Sequence, residues 1–512
     1  MTTPISQALA DSSAAPNLVF DGDDGRSLRQ DCLTVAVFTL LYVPHVVHAA
    51  ATRAFWLDEL FTYYIVTMPD WAGMLDLIRR GPDQNPPLFY VVARLLVGCF
   101  GESEWVFRLP AMVGYWVFCV SLYVWVRLLG GGRAAALVAM VTPVLTAAVY
   151  YAGEARPYGP VLGGLGLGLV GWQLTRQPRQ RRLGLVSLGL SLTFVAALHY
   201  LAALPIGLLW LVEGGLTWAT RRFDRARWAA LCAPMLVLPT HLPFFHQQAQ
   251  QGFWKITLAW RELLDFYHWL IGAPPYLGLC AVVGLLVVRR KRALANVHGF
   301  DSSTCPDGDR IWLTTSLSFL LFPILWMIVL KMTRQTAFQD RYFLSTLIGC
   351  GGLAAYALRR LPEERTALVS VAAWCLMGVP VAGAAMQPWR LVPPSVAEII
   401  ALPQLEYPIV AAAHLYFPIR HYYPGRFEQL LYVATKKRPT PDAETGLWAL
   451  QRHPRVPDWL DENEFFSRWA GNFYFVCHKT YMRHWFGEFQ RRGYPIVRET
   501  PNYIVYEWRR TP

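Results

Sequence analysis

Charge is what this chain has least of. Only 16% of its 512 residues are Asp, Glu, Lys or Arg, where a soluble globular chain carries about 25%. Acid is scarcer than base, 35 against 47, for a formal net charge of +12. Nine cysteines are scattered, mostly in apolar segments, with no Cys-x-x-Cys or zinc spacing, so neither a disulfide framework nor a structural zinc is indicated. P-loop, GxSxG and HExxH motifs are also missing, and no GxGxxG stands out, the match Gly166 to Gly171 lying inside an apolar run, which leaves no motif-based ground for nucleotide binding, serine hydrolysis or zinc proteolysis. No solenoid-like repeat appears. Residues 1–30 are polar around Asp21-Gly22-Asp23-Asp24-Gly25 and lack a short apolar core, so they read as a disordered cytoplasmic tail without a cleavable signal peptide.

What is abundant is apolar and aromatic. Hydrophobic residues make up 54% of the chain, and the mean hydropathy is +0.27. Many apolar runs reach about 17 residues or more, the length of a membrane-spanning helix. The 21 Trp and 24 Tyr suit interfacial belts. Basic residues sit in short clusters between the apolar runs, the pattern of membrane orientation and contact with anionic membrane lipids, so nucleic acid is rejected as a partner.

Topology follows from length and charge. Arg26 and Arg29 precede the first run, Asp31 to Ala50, and put the N-terminus in the cytoplasm. Asp58 and Glu59 then lie outside. Residues 56 to 85 mix aromatic, acidic and basic side chains with Gly81-Pro82 and suit the interface better than a crossing. Pro86 to Phe100 is too short to span readily and contains Arg94. Laying it along the outer face sends Arg127, Arg133, Arg176 and Arg181 inside and Glu154 outside. Runs at 183–199, 201–219, 228–245, 272–288, 311–330, 342–358 and 366–386 then alternate, giving about 11 spans and a C-terminus outside. Beyond 386, apolar runs shrink to strand length, as in Tyr407-Pro408-Ile409-Val410 and Tyr503-Ile504-Val505-Tyr506, between helix-like segments such as Tyr481 to Arg492. The expected architecture is a polytopic α-helical membrane protein, 31–386, with a small extracytoplasmic α/β or α+β domain at 387–512.

Candidate chemistry gathers on the outer side. Asp58 and Glu59 would serve a helix start as first-turn acids. The functional reading is a general base, since shielding from water raises a carboxyl's basicity. Adjacent helical residues point about 100° apart, so one of the two faces a site, and Asp58 is preferred. Glu154, Arg156 and Tyr158 lie on the next outer loop, where the plain reading is a surface ion pair with Pro157 opening a helix. His199 and Tyr200 end a span, a place for packed interfacial residues. Lys331, Arg334, Arg341 and Tyr342 form an outer cluster with Asp340. Outside, such bases have no orienting use. Snorkelling flanks explain them as well as the alternative, a planar guanidinium binding a lipid phosphate.

Trp56-Leu57-Asp58-Glu59, Asn85-Pro86-Pro87-Leu88-Phe89-Tyr90, Phe100-Gly101-Glu102-Ser103-Glu104 and Arg108-Leu109-Pro110 together resemble the opening of the GT-C membrane glycosyltransferases. The branch is that of protein O-mannosyltransferases and the lipid A aminoarabinose transferase, including rhizobial-type core galacturonosyltransferases. Glu154-Ala155-Arg156-Pro157-Tyr158, His199-Tyr200 and Asp340-Arg341-Tyr342-Phe343-Leu344 are similar to later motifs of that branch. The resemblance covers 31 to about 386. It implies a polyprenyl-phosphate sugar donor, inverting transfer at the outer face of the plasma (inner) membrane, and an acid of the first outer loop as base or acceptor ligand. It leaves the glycan, lipid or protein acceptor open. Catalysis is then expected at Asp58 or Glu59, with Glu154, Arg156, Tyr158, His199, Tyr200, Lys331, Arg334, Arg341 and Tyr342 binding substrate. No cofactor is required, although two acids on facing loops also suit Mg²⁺ or Mn²⁺. The rival class is a transporter or lipid flippase, which would need ionisable residues near the midplane and broken or repeated helices; the acids here cluster at one surface.

Overall fold

The computed structural model describes residues 24–83, 85–249, 259–294, 306–333, 338–359 and 363–386, with shorter stretches at 396, 398–399, 407–411, 413–424, 430–434, 450, 453–456, 459–461, 472–479, 491 and 493–508. The helices run α1 Asp24–Thr52, α2 Leu57–Val66, α3 Trp71–Arg80, α4 Leu88–Phe100, α5 Glu104–Leu128, α6 Arg133–Leu145, α7 Tyr158–Leu174, α8 Arg181–Leu198, α9 Ala203–Thr220, α10 Arg225–Cys232, α11 Leu238–Ala249, α12 Trp260–Ile271, α13 Pro274–Leu294, α14 Pro306–Thr333, α15 Thr346–Leu358, α16 Glu363–Met386 and α17 Ala413–Tyr422. Helix α1 starts ahead of the expected Asp31, and most of the expected tail lies outside the described residues.

Among the described residues, seven helices are long and apolar enough to cross a bilayer. Two pairs bent by 75° and 78°, Arg133–Leu145 with Ala147–Gly153 and Trp260–Ile271 with Pro274–Val288, raise the number to nine. The other expected spans fall on α7, with 17 residues, and α15, with 13. Nine is therefore the count that length and composition support, against the expected 11 or so. Helix α4 has 13 residues, about 20 Å at 1.5 Å per residue and short of a hydrocarbon core of about 30 Å. Its Arg94 donates to the carbonyls of Val66 at 2.8 Å and Met68 at 2.6 Å. The charge that argued against a crossing thus satisfies the open C-terminal end of α2.

Glycine sets the closest packing. Helix α7 lies between α5 and α8. A Cβ on Gly159 would stand 2.3 Å from the Ala111 carbonyl oxygen, and one on Gly114 would stand 2.4 Å from the Gly159 backbone. Small residues permit this approach, which is how helices gain contact area in lipid. It fixes the start of α7 against α5.

The two ends of the bundle differ. At one end Asp31 joins Arg127 and Arg133, buried Glu213 joins Arg176 and Arg227, and Asp224 joins Arg181. The opposite ends of these helices carry Arg108, Glu154, His199 and, before α15, Arg341. Alternation along the chain agrees with the charge pattern.

Over that second end lie α2–α4 and a mixed six-stranded sheet. Its strands are β1 Ile409–Ala411, β2 Leu430–Ala434, β3 Trp459–Asp461, β4 Phe473–His478, β5 Ile496–Glu499 and β6 Tyr503–Trp508, in the order β3-β2-β1-β4-β6-β5. Strands β3, β2, β1 and β4 are mutually parallel, with Val410 opposite both Leu431 and Phe475. Strand β6 pairs antiparallel with β4 and β5. Phe55, Leu60 and Tyr64 share one apolar cluster with Ile409, Tyr416, Phe417 and Val505. The C-terminal sheet and the segment Phe55 to Tyr64 therefore have a common core. Tyr422 accepts the Phe55 N–H at 2.6 Å, and Arg455 bridges Glu102 at 2.7 Å and Tyr63. The helix-like stretch Tyr481 to Arg492 lies almost wholly outside the described residues.

Candidate active site

Helix α2 sends its two first-turn acids in different directions, as the 100° helical step requires. Glu59 turns inward and is fully buried, as is its partner Arg108. The two make a bidentate pair, with Nε–Oε1 and Nη2–Oε2 both 2.7 Å. Glu59 also accepts the Ala155 N–H at 2.7 Å and the Trp56 N–H at 3.3 Å. Arg108 further donates to the carbonyls of Ala50, Arg53 and Ala54. Burial alone would push the Glu59 carboxyl up; the charge and hydrogen bonds of Arg108 outweigh it and hold it below the usual range. Glu59 thus ties α2 to α5 and to the loop before α7, and does not face the cleft.

Asp58 turns the other way. Its Oδ2 meets Arg341 Nη1 at 2.8 Å, with both side chains about a fifth exposed (18% and 19%). Its carbonyl accepts Arg156 Nη1 at 3.2 Å. Arg156 does not pair with Glu154. It is buried and holds Asp83 in a two-pronged ion pair. Asp83 also accepts from the Tyr90 hydroxyl at 2.5 Å and from Asn85 Nδ2 at 2.9 Å.

Glu154 is left over. It is 1% exposed, and neither carboxylate oxygen has a hydrogen-bond partner. Burial first, then the nearby Glu59 charge, push its carboxyl up to about 8 against the opposing pull of Arg156 and Arg53. At neutral pH it is mostly protonated and offers a hydrogen rather than a base.

A small cleft of ≈ 30 Å³ opens beside Arg341, the partner of Asp58. Arg341, Tyr342, Ser345, His199 and Tyr158 line its polar end, and Val161, Leu162, Leu165 and Pro205 of α7 and α9 its apolar wall. His199 Nδ1 accepts the Leu201 N–H at 3.1 Å. Burial first, then Arg156, push the imidazole down to about 3, so the ring is neutral with its hydrogen on Nε2. It can donate a hydrogen bond but adds no charge. The ring packs 5.8 Å from Tyr158 and 5.7 Å from Tyr342, centroid to centroid.

Of the expected binding residues, Glu154 and Arg156 do not line the cleft, Arg156 reaching the Asp58 backbone instead, Tyr200 and Lys331 turn elsewhere, and Arg334 lies outside the described residues. Tyr200 packs against His241 and Phe245 of α11. Lys331 is exposed, its ammonium 5.2 Å from the Trp260 ring. As for Mg²⁺ or Mn²⁺, Asp58, Glu59 and Asp83 each already face a guanidinium. Of the acids near the cleft, that leaves Glu154, whose carboxylate oxygens are unpartnered, and the exposed Asp340 beside Arg341, too few donors to suit a divalent ion well. Among the described residues no group of three His, Cys, Asp or Glu side chains converges.

Sequence reasoning missed Asp83 and the pairing role of Arg108. Both had signals. Asp83 stands just before the flagged Asn85-Pro86-Pro87, and Arg108 opens an apolar span, where an uncompensated guanidinium is costly.

No protein-family model matches the chain, and no curated protein sequence matches it. Solved structures do. The crystal structure of ArnT from Cupriavidus metallidurans in the apo state is similar over 94% of this chain and 98% of that one, with a TM-score of 0.56 at 14% identity. ArnT from the same organism bound to undecaprenyl phosphate is similar over 92% of this chain and 97% of that one, with a TM-score of 0.55 at 14% identity. Likeness at this identity speaks for the fold, and the fold agrees with the one expected from the sequence: the chain is a multi-pass α-helical membrane protein that folds like ArnT.

Proposed function

We propose that the protein transfers a sugar from a polyprenyl-phosphate carrier to an acceptor hydroxyl, with inversion, at the outer face of the plasma (inner) membrane. One observation carries the reading: an apolar wall runs up to a guanidinium, Arg341, that is held by a carboxylate, Asp58. A long apolar chain ending in a phosphate is the ligand class that suits such a cleft. The ArnT structure named for bound undecaprenyl phosphate has the same fold and supports the choice. The positive-inside rule turns the basic end of the bundle to the cytoplasm, which supports a cleft outside, with the N-terminus in and the C-terminal sheet out.

The chemistry follows. An arriving phosphate gives Arg341 a second anionic partner and loosens its hold on Asp58. Asp58 then removes the proton of the acceptor hydroxyl. The hydroxyl oxygen attacks the anomeric carbon, the carbon–oxygen bond to phosphate breaks, and its electron pair stays on the phosphate. A diester with one negative charge becomes a monoester approaching two, so Arg341 gains interaction as the bond breaks. Arg156, fixed by Asp83, positions Asp58 through its backbone. The neutral Glu154 carboxyl, with both oxygens unpartnered, orients a sugar or acceptor oxygen. Glu59 acts on the frame alone. Transport without chemistry is not favoured, because the ion pairs gather at the ends of the bundle.

A donor titration on purified variants tests this. Arg341→Ala should lose more in kcat than in donor affinity, and Arg341→Lys, which keeps charge without the planar fork, should retain part of the activity. A rise in KM alone would reduce Arg341 to a docking residue. No change in either parameter would remove the cleft from the reaction.

A further inference from the structure

We infer that Ser345 is a second phosphate ligand beside Arg341, and that the Ser345 hydroxyl, Arg341 Nε and His199 Nε2 form one seat for the phosphate of the carrier lipid. The inference rests on the polyprenyl-phosphate reading above. Ser345 is 3% exposed and lines the cleft with Arg341 and His199. Its hydroxyl has no hydrogen-bond partner. It stands at the N-cap of α15, where a serine ordinarily turns its oxygen back onto the helix, yet it makes no capping bond. Arg341 Nε is likewise buried without a partner, while the Nη1 of the same guanidinium is taken by Asp58. His199 points its one hydrogen away from Leu201, since Nδ1 is already an acceptor.

Each of these groups offers a hydrogen. A ligand that only accepts is their complement, and a phosphate is such a ligand, whereas a sugar hydroxyl also donates. The 13-residue helix behind Ser345 presents its positive end to the same place. Burying a hydroxyl unpaired costs free energy, which an occupant of the seat relieves. The apolar wall beyond it calls for a chain on the phosphate.

The test measures binding of polyprenyl phosphate, the matching polyprenol and inorganic phosphate to the purified full chain, its Ser345→Ala variant and Ser345→Thr, which keeps the hydroxyl. Ser345→Ala should bind polyprenyl phosphate about tenfold more weakly, the scale of a hydrogen bond to a charged group. Polyprenol binding should be unchanged, and Ser345→Thr should hold most of the phosphate affinity even if Ser345→Ala proves unstable. Equal polyprenyl-phosphate affinity in wild type and Ser345→Ala overturns the inference, and so does an equal loss for polyprenol, which marks a packing role. Inorganic phosphate binding as tightly as the lipid would overturn the lipid seat in favour of a free-phosphate site. If the wild type does not prefer polyprenyl phosphate to polyprenol, the proposed donor class fails as well.

Discussion

Replacing Glu59 by Gln and Asp58 by Asn separates frame from chemistry at adjacent residues. Glu59 and Arg108 are both wholly buried and share a bidentate pair, and Glu59 accepts two backbone N–H groups besides. Removing one partner of such a pair strands the other's charge, at a cost of about 3–5 kcal/mol. Full burial leaves no solvent screening to discount this. The folded-to-unfolded ratio should drop roughly 10²- to 10⁴-fold. Adding Arg108→Met should recover only part of it, because the carbonyls of Ala50, Arg53 and Ala54 then lose their donor. Asp58 and Arg341 are partly exposed, so Asp58→Asn should leave stability within about 1 kcal/mol of wild type. The assay is denaturation of purified protein in detergent, with activity normalised to the folded fraction. Wild-type unfolding by Glu59→Gln would refute the reasoning.

Two further outcomes follow from the geometry. The Glu154 carboxyl titrates near 8 in the folded chain and near 4.3 when unfolded, so its contribution to stability is full below the unfolded value and is lost as pH rises through 8. Glu154→Gln should therefore flatten the decline in denaturation midpoint between about pH 5 and 8; an unchanged slope assigns the decline elsewhere. On a cysteine-free background, Glu102→Cys should label from outside and Arg182→Cys from the cytoplasm, both positions being exposed; the reverse pattern inverts the topology.

How much was legible depended on the physics carrying each signal. The long apolar helices and the short α4 follow from local length and charge, and the structure has helices at those places. Span number was less secure, because a bent pair and short buried helices such as α15 look alike in one dimension. The divergence of Asp58 and Glu59 was readable from the helical step alone. What each one meets was not: Arg341 is 283 residues from Asp58 in the chain, and the Asp83–Arg156 pair spans 73 residues. Only tertiary packing, set partly by glycine contacts between α5 and α7, brings them together. Tyr200 and His199 show the same limit, since neighbours in sequence part at a helix junction.

Sugar release from a polyprenyl-phosphate-linked donor, followed with purified wild type and Asp58→Asn and with envelope extract as the acceptor source, tests the central claim most directly. The account predicts that wild type frees polyprenyl phosphate as sugar moves to acceptor, and that Asp58→Asn, while still binding the carrier, is slower by about 10²-fold or more, the scale of a positioned general base. Absence of release by the wild type, or equal rates for the two, would contradict it.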